Sequence, residues 1–171
     1  MINLICRMKL YILLLKNFHK QMELGLKGQG GDLLMVPSYV TGRSSGTECG
    51  EYLALDFGGT NCRICLVKLQ GQGRVEVETG KFKFSNEQLR EHGDVLFSAL
   101  GDFIRDFVQD LISQGLISPT KQQPMKLGFT FSFPVNQTSL VEGTLVRWTK
   151  GFSNPGVVGR EVYKMLQDAL R

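Results

Sequence analysis

The stretch YLALDFGGTNCRICLVKL, Tyr52 to Leu69, places two apolar runs on either side of an Asp-x-Gly-Gly turn. Residues alternate at period two on both flanks, which predicts two strands joined by a hairpin. Gly58 and Gly59 are expected to take positive φ, so that the hairpin closes without side chains over its tip. Bare N–H groups converging at such a tip make a concave anion site, to which the hydroxyl of Thr60 and the amide of Asn61 add donors. Asp56 stands at the strand end, where a carboxylate can hold Mg²⁺ through water beside a polyphosphate. No G-x-x-x-x-G-K-[ST] is present, and a strand rather than a helix follows the glycines, so helix-dipole binding of phosphate does not apply. On spacing alone, two readings stay open: a plain glycine hairpin, or a phosphate cradle.

The same period continues in RVEVETGKFKF, Arg74 to Phe84, after a turn at Gly71 to Gly73. Three short strands in succession predict an antiparallel meander. Next, GDVLFSALGDFIRDFVQDLISQG carries an apolar stripe through Val95, Leu96, Ala99, Leu100, Phe103, Ile104, Phe107, Val108, Leu111 and Ile112. That spacing predicts a helix capped by Asp94 and closed by Gly115. KLGFTFSFP reads as a buried strand ended by Pro134, and TLVRWT as another strand. GREVYKMLQDALR reads as a closing helix with Val162, Met165, Leu166, Ala169 and Leu170 inward. The order βββαββα predicts an α/β lobe.

Upstream, Leu4, Met8, Tyr11, Ile12, Leu15, Phe18 and Met22 recur at helical spacing. Arg7, Lys9 and Lys16 interrupt the apolar run, so an amphipathic helix is expected rather than a membrane span. Gly25 to Gly50 is dense in Gly, Ser and Thr and reads as a surface connection. The expected division is therefore a helix and connecting segment over 1–50, followed by a folded lobe over 51–171. With 171 residues, 42% of them hydrophobic, the chain can bury one good core. A formal charge of +4 without a long run of like charges gives no nucleic-acid face. Cys6, Cys49, Cys62 and Cys65 are expected to be free thiols. Cys62 and Cys65 spell C-x-x-C in a strand, where residues three apart point to opposite faces and cannot share a zinc ion.

LALDFGGTNCRICLVKL, LGFTFSFP and LVRWTKGF, in this order and spacing, resemble the amino-terminal half of a eukaryotic hexokinase. FHKQMELGL and MVPSYVTG are similar to the segment that precedes that core, so the likeness runs from about Phe18 to the end. The resemblance implies an actin-like, ribonuclease H-like ATPase lobe with a mixed sheet of about five strands, flanking helices and a long N-terminal helix. It implies transfer of the γ-phosphoryl of ATP, with Mg²⁺, to the 6-hydroxyl of a hexose such as glucose. By similarity, Asp56, Phe57, Gly58, Gly59, Thr60 and Asn61 form the first phosphate loop, and Ser132, Phe133, Thr149 and Lys150 line the sugar. Short hydroxyls and an ammonium suit a neutral polyol, and Lys150 adds positive field near the moving phosphoryl.

The likeness has gaps. The first seventeen residues do not resemble the family's usual start. In the family the catalytic carboxylate lies in an Asn-Asp-Thr motif a few tens of residues after WTKGF, and no such triplet occurs in these 171 residues. The base is therefore expected beyond Arg171, the chain is expected to be truncated, and by itself it is expected to be inactive. The alternative is a non-catalytic sugar-binding or interaction module. A cytoplasmic location follows from the resemblance, with association at the mitochondrial surface and self-association through the N-terminal helix as further expectations.

Overall fold

The computed structural model describes residues 4–59, 61–118 and 124–171, with helix side chains from Arg7 onward. It divides into two compact units, Met1–Ser38 and Tyr39–Arg171.

The first unit is built on helix α1, Leu4–Leu26. Lys27 N donates to Glu23 O and Gln29 N to Leu24 O, while Gly28 takes a φ of +65°, the left-handed turn that ends many helices. The returning segment is held by Asp32 N, which donates to Gln21 Oε1 at 3.1 Å. The predicted stripe residues Met8, Tyr11, Ile12, Leu15 and Phe18 are exposed, and so are Leu10, Leu13 and Leu14 on the other flank. The apolar surface therefore wraps more of the helix than one stripe. No described helix is long and apolar enough to cross a membrane.

The second unit opens with the predicted meander: β1 (Cys49–Phe57), β2 (Asn61–Gln70) and β3 (Val75–Lys83). Strand β4 (Leu127–Phe131) joins the other side of β1 in parallel, giving the order β3-β2-β1-β4. A parallel neighbour needs a crossover, and α2 (Gly93–Ser113) supplies it. Sequence reading put about five strands in one sheet. Among the described residues the sheet has four, and β5 (Val135–Ser139) and β6 (Glu142–Leu145) form a separate hairpin. TLVRWT is thus a strand only at Thr144 and Leu145, and Val146 to Thr149 run on as a loop. The closing helix is α3, Val162–Ala169.

Alternation sends Leu53, Leu55, Phe57, Cys62, Ile64 and Leu66 to one sheet face, where they are buried with Leu96, Leu100, Ile104 and Leu111 of α2. Each such side chain contributes about 1.5–3 kcal/mol on burial. Two glycines let the helices come close. At Gly80 a Cβ would sit 2.8 Å from the Phe107 ring, and at Gly101 2.5 Å from the carbonyl oxygen of Ala169. Within α2 two expectations need correction. Val95 is 47% exposed, because it lies in the first turn before the helix reaches the sheet, and the buried partner there is Phe97. The N-cap is His92, whose Nδ1 accepts from Asp94 N, and Asp94 sits in the first turn, where its charge suits the helix dipole.

Candidate functional site

The hairpin register is Phe57 opposite Cys62 and Asp56 opposite Arg63, leaving the four positions 58–61 between the last β1–β2 pair. Thr60 lies outside the described residues. Neither Gly58 nor Gly59 adopts positive φ, contrary to expectation. The need for glycine is steric at Gly58, where a Cβ would meet Ser132 Oγ at 3.1 Å and Ser132 Cβ at 3.3 Å. Around Gly59 the space is open, with no atom within 4 Å of a Cβ position. Asn61 is exposed and begins β2, paired with Lys83.

Ser132 follows β4, and its N–H donates to Phe57 O at 3.0 Å, extending the parallel pairing to the turn. The glycine tip and the strand end bearing Ser132 thus adjoin. Lys150 joins them: its Nζ donates to Gly58 O and, at 2.7 Å, to Ser132 O. The ammonium also lies 5.3 Å from the centroid of the Phe133 ring. Lys150 has a φ of +58°, followed by Gly151 at +86°, so the chain doubles back at this point. A left-handed residue with a side chain costs about 1–2 kcal/mol. Two ammonium–carbonyl bonds, each worth about 1.5–3 kcal/mol when sheltered and less at this exposed position, offset it. Thr149 is half-buried, and its carbonyl accepts from Phe152 N at 3.2 Å.

Two residues assigned to the ligand segments turn their side chains elsewhere. Phe57 is fully buried, with ring centroids of Phe84, Phe131, Phe133 and Phe152 at 5.3, 5.5, 5.5 and 5.4 Å. Phe133 is buried among Phe57, Phe131, Trp148 and Phe152, because an aromatic ring gains more in the core than beside polar ligands. What these residues offer a ligand is backbone, together with a rigid aromatic floor. Trp148 stacks on Phe152 at 5.4 Å, and its Nε1 donates to Asn154 O at 2.7 Å. Asn154 is buried and ties its loop down by donating Nδ2 to Gln88 O and Glu91 O, each at 2.7 Å.

On the outer sheet face, the registers set Thr130, Asp56, Arg63 and Lys81 in one row across β4, β1, β2 and β3. All four are exposed. Asp56 Oδ1 accepts from Thr130 Oγ1 at 3.1 Å, and that hydroxyl also approaches Leu55 O at 3.2 Å. Thr130, Arg63 and Lys81 were not among the sequence candidates. Counting pairs outward from the turn would have found Arg63, since Phe57 facing Cys62 forces Asp56 to face it.

The C-x-x-C cysteines do point to opposite faces: Cys62 is buried, while Cys65 lies 3.5 Å from Thr79 Oγ1 on the outer face. Among the described residues, no three His, Cys, Asp or Glu side chains are grouped to hold a metal. Burial first, then the Asp56 charge, pushes the Cys62 thiol up to about 12 from an ordinary 9.0. The unfolded chain loses this proton above about pH 9 while the folded chain keeps it. Stability should therefore be fully present below pH 9 and fall above it, by at most about 1.4 kcal/mol per pH unit. Urea midpoints at pH 8 and 10 should show the fall, and Cys62→Ala should remove that part of it. An unchanged slope in the alanine variant would refute the assignment.

A mixed sheet backed by helices, with a glycine turn and a strand-end serine meeting at one end of the sheet, defines an α/β lobe of the actin-like type. The family model described as Hexokinase matches residues 8–171, and the chain belongs to the hexokinase family. The match begins upstream of Phe18, so most of α1 falls within the family pattern and not outside it. Hexokinase-1 of Schizosaccharomyces pombe is 39% identical over 154 residues, covering 90% of this chain and 31% of that protein. Glucokinase-1 of Saccharomyces cerevisiae is 42% identical over 164 residues, covering 90% of this chain and 33% of that protein. A solved hexokinase from Schistosoma mansoni, complexed with glucose, superposes with a TM-score of 0.78 at 39% identity. That superposition covers 91% of this chain and 34% of the solved one. The chain spans about a third of the length of the relatives it matches.

Proposed function

We propose that this chain carries the first phosphate loop and part of the hexose seat of an ATP-dependent hexose 6-phosphotransferase. The observation that supports this best is the meeting of Gly58 with Ser132 under the Lys150 ammonium, which sets an unobstructed turn beside sugar-type hydrogen-bonding groups. The residues suit a magnesium nucleotide. Open space at Gly59 lets phosphate oxygens approach the backbone, and the exposed Asp56 carboxylate can reach a metal through water. Asp56 would hold Mg²⁺ through water, and the ion would supply charge neutralisation for the phosphate oxygens. The amides of Gly58 and Gly59 would orient those oxygens. The hydroxyls of Ser132 and Thr149 would orient the hexose, and Lys150 would supply positive field at the transferred group.

A second reading of the chain taken by itself is a sugar-binding module, favoured by the hydroxyl and ammonium groups that Ser132, Thr149 and Lys150 offer a polyol. We place it in the cytoplasm. The exposed apolar flanks of α1 support self-association there. Glucose titration followed by Trp148 fluorescence tests the reading. Trp148 packs against Phe133 at 5.0 Å, next to Ser132, so a saturable change in its emission is expected on hexose binding. Absence of any glucose response, both in Trp148 emission and in the amide resonance of Ser132, would overturn it.

A further inference from the structure

We propose that Lys150 is a positioning residue for the phosphate loop: one ammonium ties the glycine tip to the strand end bearing Ser132, so a single side chain links hexose binding to loop order. This rests on the reading of those two segments as ligand-binding. At Gly59 the space is open, with nothing beyond its chain neighbours within 4 Å of the Cβ position. By contrast, the anchor is rigid. Lys150 lies 5.3 Å from the Phe133 ring, which Phe57, Phe131, Trp148 and Phe152 hold in the core at 5.5, 4.8, 5.0 and 5.1 Å. The left-handed backbone at Lys150, φ +58°, turns the chain back where the side chain must span the two segments. An ammonium has three N–H donors. Two are taken by the carbonyls of Gly58 and Ser132, and the third remains for an incoming hydroxyl. A hexose hydroxyl accepting that third hydrogen completes the donor set of the ammonium and holds it in the geometry that fixes the loop. The nucleotide side thereby registers whether the sugar has arrived.

The test is ¹⁵N relaxation on the 171-residue chain, without hexose or nucleotide. In the parent chain, Gly58 and Gly59 amides should show order parameters near about 0.85, the value of rigid backbone. Lys150→Met should drop them below about 0.6 and move the ¹³C resonances of the Gly58 and Ser132 carbonyls, while α2 stays unchanged. Lys150→Arg, which keeps a cationic donor, should restore most of the order. Lys164→Met, on the exposed side of α3, should change nothing at the loop. Unchanged order at Gly58 and Gly59 in the methionine variant would overturn the proposal, as would loosening that spreads equally through α2. Should that variant not fold, the side-chain ammonium resonance of Lys150 in the parent chain decides. Protons exchanging slowly enough to observe support the tie, and rapid exchange overturns it. No ligand enters this experiment, so its failure leaves the kinase reading standing. A chain that shows the loosening but ignores glucose would refute that reading and keep the tie.

Discussion

Phe57→Ala is expected to cost about 3–5 kcal/mol of folding stability, the range for deleting a buried aromatic ring. The site cannot collapse to fill the gap, because four rings stand around Phe57 with centroids between 5.3 and 5.5 Å away. They come from three segments, the residue after β3, β4 with its continuation, and the loop after Trp148, so the rings are held from several sides. Domains of this kind have about 5–15 kcal/mol in total, so the variant should lie near the edge of folding. Urea midpoints measure the loss. Phe57→Leu, which keeps most of the volume, should cost less than half as much. Near-UV circular dichroism gives a second readout, since Trp148 shares Phe131 and Phe133 with Phe57 and should lose its fixed environment. A loss below about 1 kcal/mol would show that the cluster repacks and is not the keystone of this end of the sheet.

The second large effect is catalytic. The purified chain should phosphorylate glucose more slowly than a full-length relative by at least about 10²–10⁴-fold, the usual contribution of a positioned general base. The sugar hydroxyl must give up its proton as it attacks, and the carboxylate at the turn, Asp56, accepts from Thr130 Oγ1 and is read as the partner of the metal. Glu142 accepts from Thr138 Oγ1 at 3.0 Å on the β5–β6 hairpin, and Asp168 accepts from Arg171 at 3.2 Å on α3. Lys150 donates and has no acceptor to offer. A coupled assay with glucose, ATP and Mg²⁺ checks this, and robust magnesium-dependent turnover by the chain alone would refute it.

Strong periodic signals in the sequence translated directly into structure. The meander followed from period-two alternation between glycine turns, and α2 from a stripe repeated over several turns. Pairing at the site was legible too, since the glycine turn fixes which residues face one another. Less visible were features decided by tertiary contact. His92 is an unusual N-cap and gave no local sign of that role. VNQTS carries too little apolar character to read as a strand, and β5 forms because β6 folds back on it. Gly58 looked like a conformational requirement, and the true constraint, the approach of Ser132, comes from a residue 74 positions away in the chain. The left-handed backbone of Lys150 had no signature either, because the two carbonyls that offset its strain belong to other segments.

Strand β4 has a hydrogen-bonded neighbour only on the β1 side, so among the described residues its other margin presents unsatisfied main-chain groups. Unpaired N–H and C=O groups along that margin would serve as a template for a foreign strand, while Leu127, Phe129 and Phe131 pack towards the core. Its brevity, five residues between Lys126 and the approach to Pro134, limits how far such pairing could spread. A charge introduced at the exposed Gly128 would blunt such pairing.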